Sequence, residues 1–409
     1  MLTLEEIERI MDLAKGEWRD KSPDRILFGK SSLSPTLRQH LALQITYREK
    51  IARKYPSLSS LGIFLPEGIT YEQSSGEATA RYKADTFAPS PFLGDGTGGL
   101  GIDFSHLARR AQRAIYLERN KDFATAAQYN IPRIMGESYS PTRIEIQQGS
   151  LLEELVRLVA NGMEMLYFDP ARRAQGGART YALSDTEPSP LEVCQVLQKL
   201  GYRGRILIKV SPMEDIKEVL RQLPSVGEIH IVQSGDEVKE LLLYIRTLST
   251  QSEATPPSLI AVQLSPEGLV VNRFCGTPAE ESEQTPHFAS ALGHYLLLPG
   301  AALQKSGLYH SIGIAYNALP LHPNSHIYTT DQKPSHFLGK CYEVVRVIPA
   351  KSSELKRLHQ AYPEADFSQR NFPLKPVDFY KKTKIRPGSS HRLIGTTLLS
   401  GESVIIEVR

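Results

Sequence analysis

The sequence predicts an α/β fold: a mostly parallel sheet with helices on both faces and an antiparallel last strand, preceded by a helical N-terminal region and followed by α+β lobes. Three observations predict it. From about residue 70 to residue 250, short apolar runs alternate with segments of helical spacing, which is the pattern of a parallel sheet with crossover helices. The last two runs of that region, "EIHIVQ" and "KELLLYI", are separated only by a turn, too little chain for a crossover, so they must be antiparallel. Between the first run and the first helix lies "LGDGTGGLGIDFSHLA", a glycine-rich strand-to-helix turn flanked by carboxylates.

The elements follow in order. Leu4, Ile7, Ile10, Met11 and Leu13 recur at three- or four-residue steps, and "LRQHLALQITYREKIARKY" repeats that spacing until Pro56 and Pro66 close the region. The polar stretch "EQSSGEATARYKAD" reads as a loop before the first strand, where Lys83 can cover a pocket or meet a substrate phosphate. "PFLG" is a strand, "DFSHLARRAQR" a helix, "AIYLE" a strand and "KDFATAAQYN" a helix. "RIEIQQG", "EMLYFDP" and "RILIKV" are further strands, alternating with the helices "LLEELVRLVANG", "PLEVCQVLQKLG" and "MEDIKEVLRQL". "TLSTQSEATPPS" is a polar linker. Beyond it, shorter strands and helices run through "LIAVQLS", "LVVNRF", "YEVVRVIPA", "SSELKRLHQAY", "HRLIGTTLL" and "ESVIIEV". The expected domains are 1–70, 71–250, 258–331 and 332–409.

Composition narrows the function classes. Cys194, Cys275 and Cys341 are far apart and form no CxxC pair, and the eleven histidines show no ligand spacing. Neither a disulfide framework nor a metal site is expected. Residues 1–18 are acidic and helix-patterned, unlike a signal peptide, and no apolar run is long enough to cross a bilayer. A cytoplasmic protein without membrane contact is expected. Charge is uneven: Asp331–Arg409 carries 14 lysines and arginines against 8 acids, while the rest carries 34 against 37. A basic C-terminal part suits a polyanionic partner.

In the glycine turn, Gly96, Gly98, Gly99 and Gly101 permit a sharp bend and close approach of a ligand. Asp95 ends the strand, Asp103 opens the helix and Glu118 ends the next strand, with Arg119 after it. Carboxylates here repel a pyrophosphate but suit S-adenosylmethionine (SAM), with its ammonium, sulfonium and ribose hydroxyls. Glu118 is placed to accept from both hydroxyls. In "LYFDPARRAQGGART", Asp169 and Pro170 close the fourth strand, where Asp169 can orient an acceptor amine. Arg172, Arg173 and Arg179 form a basic loop suited to phosphate. "RILIKV" ends without a cysteine, so a covalent thiolate mechanism is not expected.

Taken together, "DGTGGLGID", "YLERN", "YFDPARRAQGGART" and "RNFPLKPVDFYKKTKIRPGSSHRLIGTTLLSGE" resemble the class I SAM-dependent methyltransferases with a C-terminal THUMP-like domain, from about residue 70 to the end. The resemblance implies a Rossmann-like, seven-stranded sheet with SAM at the first glycine turn. It places Asp95, Gly96, Thr97, Gly98, Gly99, Gly101 and Asp103 in the first motif, Glu118 on the ribose, and Ser150 where the third-strand acid often contacts adenine. Thr97 stands where many members carry a glycine, and "DPAR" lacks the aromatic ring that stacks a target base in amino methyltransferases. "HYLLLPGAALQKSGLYHSIGIAYNALPLHPNSHIYTTD" is similar to a small ferredoxin-like insert. THUMP domains are associated with RNA modification. The implied function is methylation of a base of ribosomal or transfer RNA, with Lys381, Lys382 and Lys384 among the RNA contacts. Two alternatives stay open: a methyltransferase of a small molecule or protein, and a non-catalytic RNA-binding protein.

Overall fold

The computed structural model describes residues 2–87, 90–172, 183–248 and 256–409. They gather into two compact units, one built mainly from residues up to 257 and one mainly from 272 to 409, with the hairpin 258–276 divided between them.

The first unit begins with helices. α1 (Leu4–Lys15) starts on a Thr3/Glu6 capping box, and α2 (Pro23–Phe28) and α3 (Pro35–Lys54) start on Ser22 and Ser34, each followed by proline in the first turn. Their apolar stripes bury Ile7, Ile10, Met11, Ile26, Leu37 and Leu41 in a cluster that includes Phe64 and the later Ala126 and Tyr129. Two buried amide side chains fix the exit of this region. Asn130 accepts from Phe64 N (2.9 Å) and donates to Phe64 O (3.0 Å), and Gln44 does the same for Leu65 at 2.9 Å each way. Each amide side chain thus pairs an isolated stretch of backbone as a neighbouring strand would.

α4 (Gly68–Gln73) and α5 (Glu77–Phe87) follow. The expected polar loop is therefore corrected. Most of it is a helix whose inner face buries Glu77, Thr79, Ala80, Tyr82 and Lys83. Polar residue types misread the segment because partners elsewhere in the chain satisfy them.

The strands are β1 (Phe92–Asp95), β2 (Arg113–Glu118), β3 (Ile144–Gln148), β4 (Met165–Phe168), β5 (Arg205–Val210), β6 (Glu228–Ser234) and β7 (Glu237–Ile245). Their order is β6-β7-β5-β4-β1-β2-β3. β1 pairs in parallel with β2 and β4, β2 with β3, and β4 with β5; β7 runs antiparallel to β5. β1 and β4 are buried throughout, as parallel strands covered on both faces must be. The crossover helices are α6 (Ile102–Leu107), α7 (Lys121–Met135), α8 (Leu151–Ala160), α9 (Pro190–Lys199) and α10 (Ile216–Gln222). A two-residue ladder joins Ala171–Arg172 to Thr186–Glu187. The seven expected strands are present, but the sheet counts nine: β8 (Ser258–Leu264) and β9 (Val270–Gly276) are added beside β6.

The second unit is a seven-stranded sheet. Its strands are β10 (Tyr295–Pro299), β11 (Leu319–Pro320), β12 (Tyr328–Thr330), β13 (Gly339–Pro349), β14 (Glu364–Gln369), β15 (Arg386–Thr397) and β16 (Ser403–Val408), in the order β11-β12-β10-β13-β16-β15-β14. β14 and β15 are parallel, whereas β16 is antiparallel to both β13 and β15. The stretches expected as two lobes share this one sheet. Among the described residues no helix is long and apolar enough to cross a membrane.

Candidate functional site

Strand order reverses at β1, and there the carboxyl ends of the strands open into a cavity of about 750 Å³ within the first unit. It runs from Glu118 and Ser150 past the glycine turn and Asp169 to Lys209 and Lys239. One wall is Thr70 and Glu72–Ser75, from α4 and the residues just after it. Among the described residues six carboxyl groups line it, from Glu72, Asp95, Asp103, Glu118, Asp169 and Glu187, against three cations, Arg119, Lys209 and Lys239.

The glycine turn is held by its own chain. Gly96 N donates to Tyr167 O, Gly98 N to Leu117 O and Gly101 N to Gly98 O, all at 2.9 Å. Thr97 N donates to Asp95 Oδ1 and Gly99 N to Glu118 Oε2, both at 3.0 Å. A phosphate-binding loop presents free amides; these five are taken. The glycines themselves answer to packing. A Cβ on Gly98 would lie 1.9 Å from the Tyr116 ring, and on Gly96 2.5 Å from Leu151. Gly99 takes φ +53°, a left-handed conformation, and Tyr116 OH donates to its carbonyl at 2.6 Å. Glu118 accepts from Gly99 N through one oxygen and from Asn120 N (2.8 Å) through the other. Each oxygen keeps a lone pair, which a ribose diol can use.

The two carboxylates expected to repel phosphate behave differently from bare charges. Asp95 is 1% exposed, and burial pushes its carboxyl well above the usual range. Asp103 is charged but compensated. Burial opposes its ionisation, and Lys83 and Lys209 outweigh it, holding the carboxyl below its usual value. Asp103 lies 3.1 Å from Lys83 Nζ and accepts from Ser75 Oγ and Tyr167 OH at 2.6 Å each. Five amides of the turn are thus closed to a phosphate, and its two carboxyls repel one less than bare charges would.

The expectation for Lys83 is corrected. It is completely buried, with Nζ 2.7 and 2.8 Å from the two Glu240 oxygens and 3.2 Å from Ser75 Oγ. No substrate phosphate reaches it. It serves instead as the counter-ion of two acids that the fold buries.

Asp169 sits at the carboxyl end of β4, its backbone N–H donating to Thr97 Oγ1 at 2.6 Å. Thr97 thus ties the glycine turn to the end of the fourth strand. The Asp169 carboxylate is bonded to Lys209 Nζ, from the neighbouring β5. Burial raises the Asp169 carboxyl above its ordinary value, with Lys209 pulling against it. Burial acts to lower Lys209, but Asp169, Asp103 and Glu240 prevail and keep it firmly charged.

Pro170 lines the cavity, and so do Ser150, the residue before α8, and Arg119, whose guanidinium is bonded to Glu187. The backbone of Arg172 lies in the short ladder. Arg173 and Arg179 fall outside the described residues. Lys381 and Lys382 are exposed on the helix Pro376–Thr383 and Lys384 just beyond it, all in the second unit, whereas the cavity belongs to the first. Sequence reasoning missed Lys209, Glu240, Tyr167 and Ser75. A signal existed for Lys209 alone, as a lysine near the end of an otherwise apolar strand, the position where ligands meet open α/β sheets. Among the described residues no group of three or more His, Cys, Asp or Glu is gathered as a metal would require.

Family models match residues 2–47 (N-terminal domain in "putative methyltransferase"), 295–337 (ferredoxin-like domain) and 339–409 (THUMP domain-like). The chain is 33% identical to a "putative methyltransferase" of known structure from Porphyromonas gingivalis, covering 100% of this chain and 99% of that one, with a TM-score of 0.89. An rRNA methylase from Streptococcus thermophilus is 16% identical over 42% of this chain and 96% of its own (TM-score 0.29). A SAM-dependent methyltransferase from Neisseria gonorrhoeae is 16% identical over 46% and 74% (TM-score 0.28). None of the curated proteins matches the chain.

Proposed function

The chain belongs to the family of the Porphyromonas gingivalis "putative methyltransferase", and from that premise we propose that it is a SAM-dependent methyltransferase of structured RNA, ribosomal or transfer RNA, in the cytoplasm. The observation that carries the SAM reading is the cavity at the strand ends, rich in carboxyl groups and bordered by a glycine turn whose amides are already bonded. Glu118 takes the ribose hydroxyls, the turn from Asp95 to Gly101 seats the donor, and Ser150 and Arg119 border the nucleoside. When bound, SAM supplies a methyl group on a positively charged sulfur. Asp103 and Asp95 act from behind the turn, the first through Tyr167 and Ser75, the second through Thr97 N.

At the other end Asp169, with Pro170, orients the acceptor, and the arginines Arg172, Arg173 and Arg179 take its phosphates. The RNA reading rests on the match of residues 339–409 to a THUMP-like model and on the exposed Lys381, Lys382 and Lys384. In this division of labour 71–250 carries the cavity and the chemistry, and 258–331 with 332–409 holds RNA.

The test has two arms. Calorimetry should give SAM binding that NAD does not reproduce. Labelled methyl groups should pass from SAM to RNA, and replacing all three lysines by glutamine should weaken RNA binding and reduce its logarithmic salt slope by about 2. Tighter binding of NAD than of SAM would end the proposal.

A further inference from the structure

We propose that the acceptor atom is a hydroxyl oxygen, the 2′-hydroxyl of a ribose in RNA, with Asp169 as the base and Lys209 as the cation beside that oxygen. This deepens the reading above and rests on it. It departs from a nucleobase as the methylated group.

An amine and a hydroxyl need different equipment. A nucleobase amine requires a hydrogen-bond acceptor to aim its lone pair and an aromatic face to hold the splayed base. A hydroxyl is a poor nucleophile until its proton leaves. It requires a base within hydrogen-bond reach and a fixed positive charge where the oxygen turns anionic.

The acceptor end of the cavity has the second set. Asp169 and Lys209 close two adjacent parallel strands, which pair at Phe168 and Ile208, and their side chains are bonded to each other. The Lys209 side chain is 12% exposed and that of Asp169 is 32% exposed, so the carboxylate is the more accessible partner and the ammonium lies behind it. Lys83 and Glu240 form a second ion pair, buried on both sides. The directions of charge agree with that geometry: burial raises the Asp169 carboxyl, while the neighbouring acids hold Lys209 charged.

Among the described residues that line the cavity, no aromatic face stands at the acceptor end. Among the described lining residues the only rings are Phe123 and Tyr167. Phe123 lies in the first turn of α7, five residues after Glu118. Tyr167 is 1% exposed and spends its hydroxyl on Asp103. From Asp169 towards Lys239 the described wall is Pro170, Lys209, Val210, Ser211 and Pro212.

The step balances. A lone pair of the hydroxyl oxygen forms the C–O bond to the methyl carbon, and the C–S bond breaks with its electron pair returning to sulfur. The hydroxyl proton passes to the Asp169 carboxylate and from there to solvent.

The test uses the full chain, tritium-labelled methyl SAM, and total RNA from cells in which the gene for this chain has been deleted. Nucleoside mass spectrometry then assigns the methyl group. A methyl on ribose is expected; a methyl on a base overturns the proposal and leaves the RNA reading standing. Absence of label in RNA, from protein that binds SAM in calorimetry, overturns the RNA reading and this proposal with it. Asp169→Asn sharpens the answer, because an amide oxygen still aims an amine but takes no proton from a hydroxyl. A loss of about 10²–10⁴-fold in kcat is expected, with SAM affinity within about threefold of wild type. Retention of more than about a tenth of kcat contradicts the proposal. Lys209→Met should lose kcat by about 10²-fold or more with SAM affinity likewise kept. If either variant fails to bind SAM, the position of the methyl group decides alone.

Discussion

The two ends of the cavity are built in opposite ways. At the nucleoside end, the contiguous stretch from Asp95 to Gly101 is held through its backbone amides, by the Tyr167, Leu117 and Gly98 carbonyls and by the Asp95 and Glu118 carboxyls. At the acceptor end, Ser75, Lys83, Asp103, Tyr167, Asp169, Lys209 and Glu240 converge from five elements and the loops between them, and almost every contact is between side chains. The first is a local motif whose geometry survives on backbone bonding. The second is a network of opposite charges in which each member is tolerated because of the others.

That contrast can be broken at several points. The largest effect is expected from Lys83→Met, which leaves Glu240 and Asp103 buried without their shared counter-ion. Stability should fall by ~3–5 kcal/mol in denaturant unfolding, and a loss below 1 kcal/mol would refute the network description. Gly98→Ala places a methyl group against the Tyr116 ring, so about 1–3 kcal/mol of stability should go together with most SAM affinity. If SAM binding falls while stability is untouched, the glycine serves the ligand and not the packing. Glu118→Ala should sharpen the other half: ~10–100-fold weaker SAM binding by calorimetry, with thermal stability moved by only a few degrees.

The smallest effect lies in a third charge cluster, away from the cavity, and depends on pH. Glu228 is held down to about 2, first by the hydrogen bond from His230 and then, against burial, by Arg246. A lowered carboxyl contributes stability above its unfolded value near 4.5 and loses it as pH falls towards 2. Wild type should therefore lose on the order of 1–2 kcal/mol over that window relative to Glu228→Gln, the partial exposure of Glu228 reducing the effect. Parallel pH profiles for the two proteins would remove it.

Much of the sheet unit was legible because its signals are local. Apolar runs four to seven residues long, broken by helical spacing, placed the seven strands, and the turn at Gly235–Asp236 disclosed the reversal that leaves β7 antiparallel to β5. The reading failed where polarity was resolved at a distance. Glu72–Asp85 looked like a loop because Lys83 and Glu77 look solvated, yet Lys83 meets Glu240, 157 positions later, and Glu77 accepts from Ser57 N, 20 positions earlier. Likewise Lys209 passed as the tail of an apolar strand until β4 brought Asp169 beside it.

The sequence by itself determined the alternation of elements, the glycine turn, the acid one strand later and the basic C-terminal part, because spacing and charge along the chain are enough to specify them. Only the tertiary structure decided which charges are bare. Burial raised Asp95, Lys83 offset Asp103, and Lys209 joined Asp169, since the cost of a buried charge depends on partners that arrive through folding and not through sequence proximity.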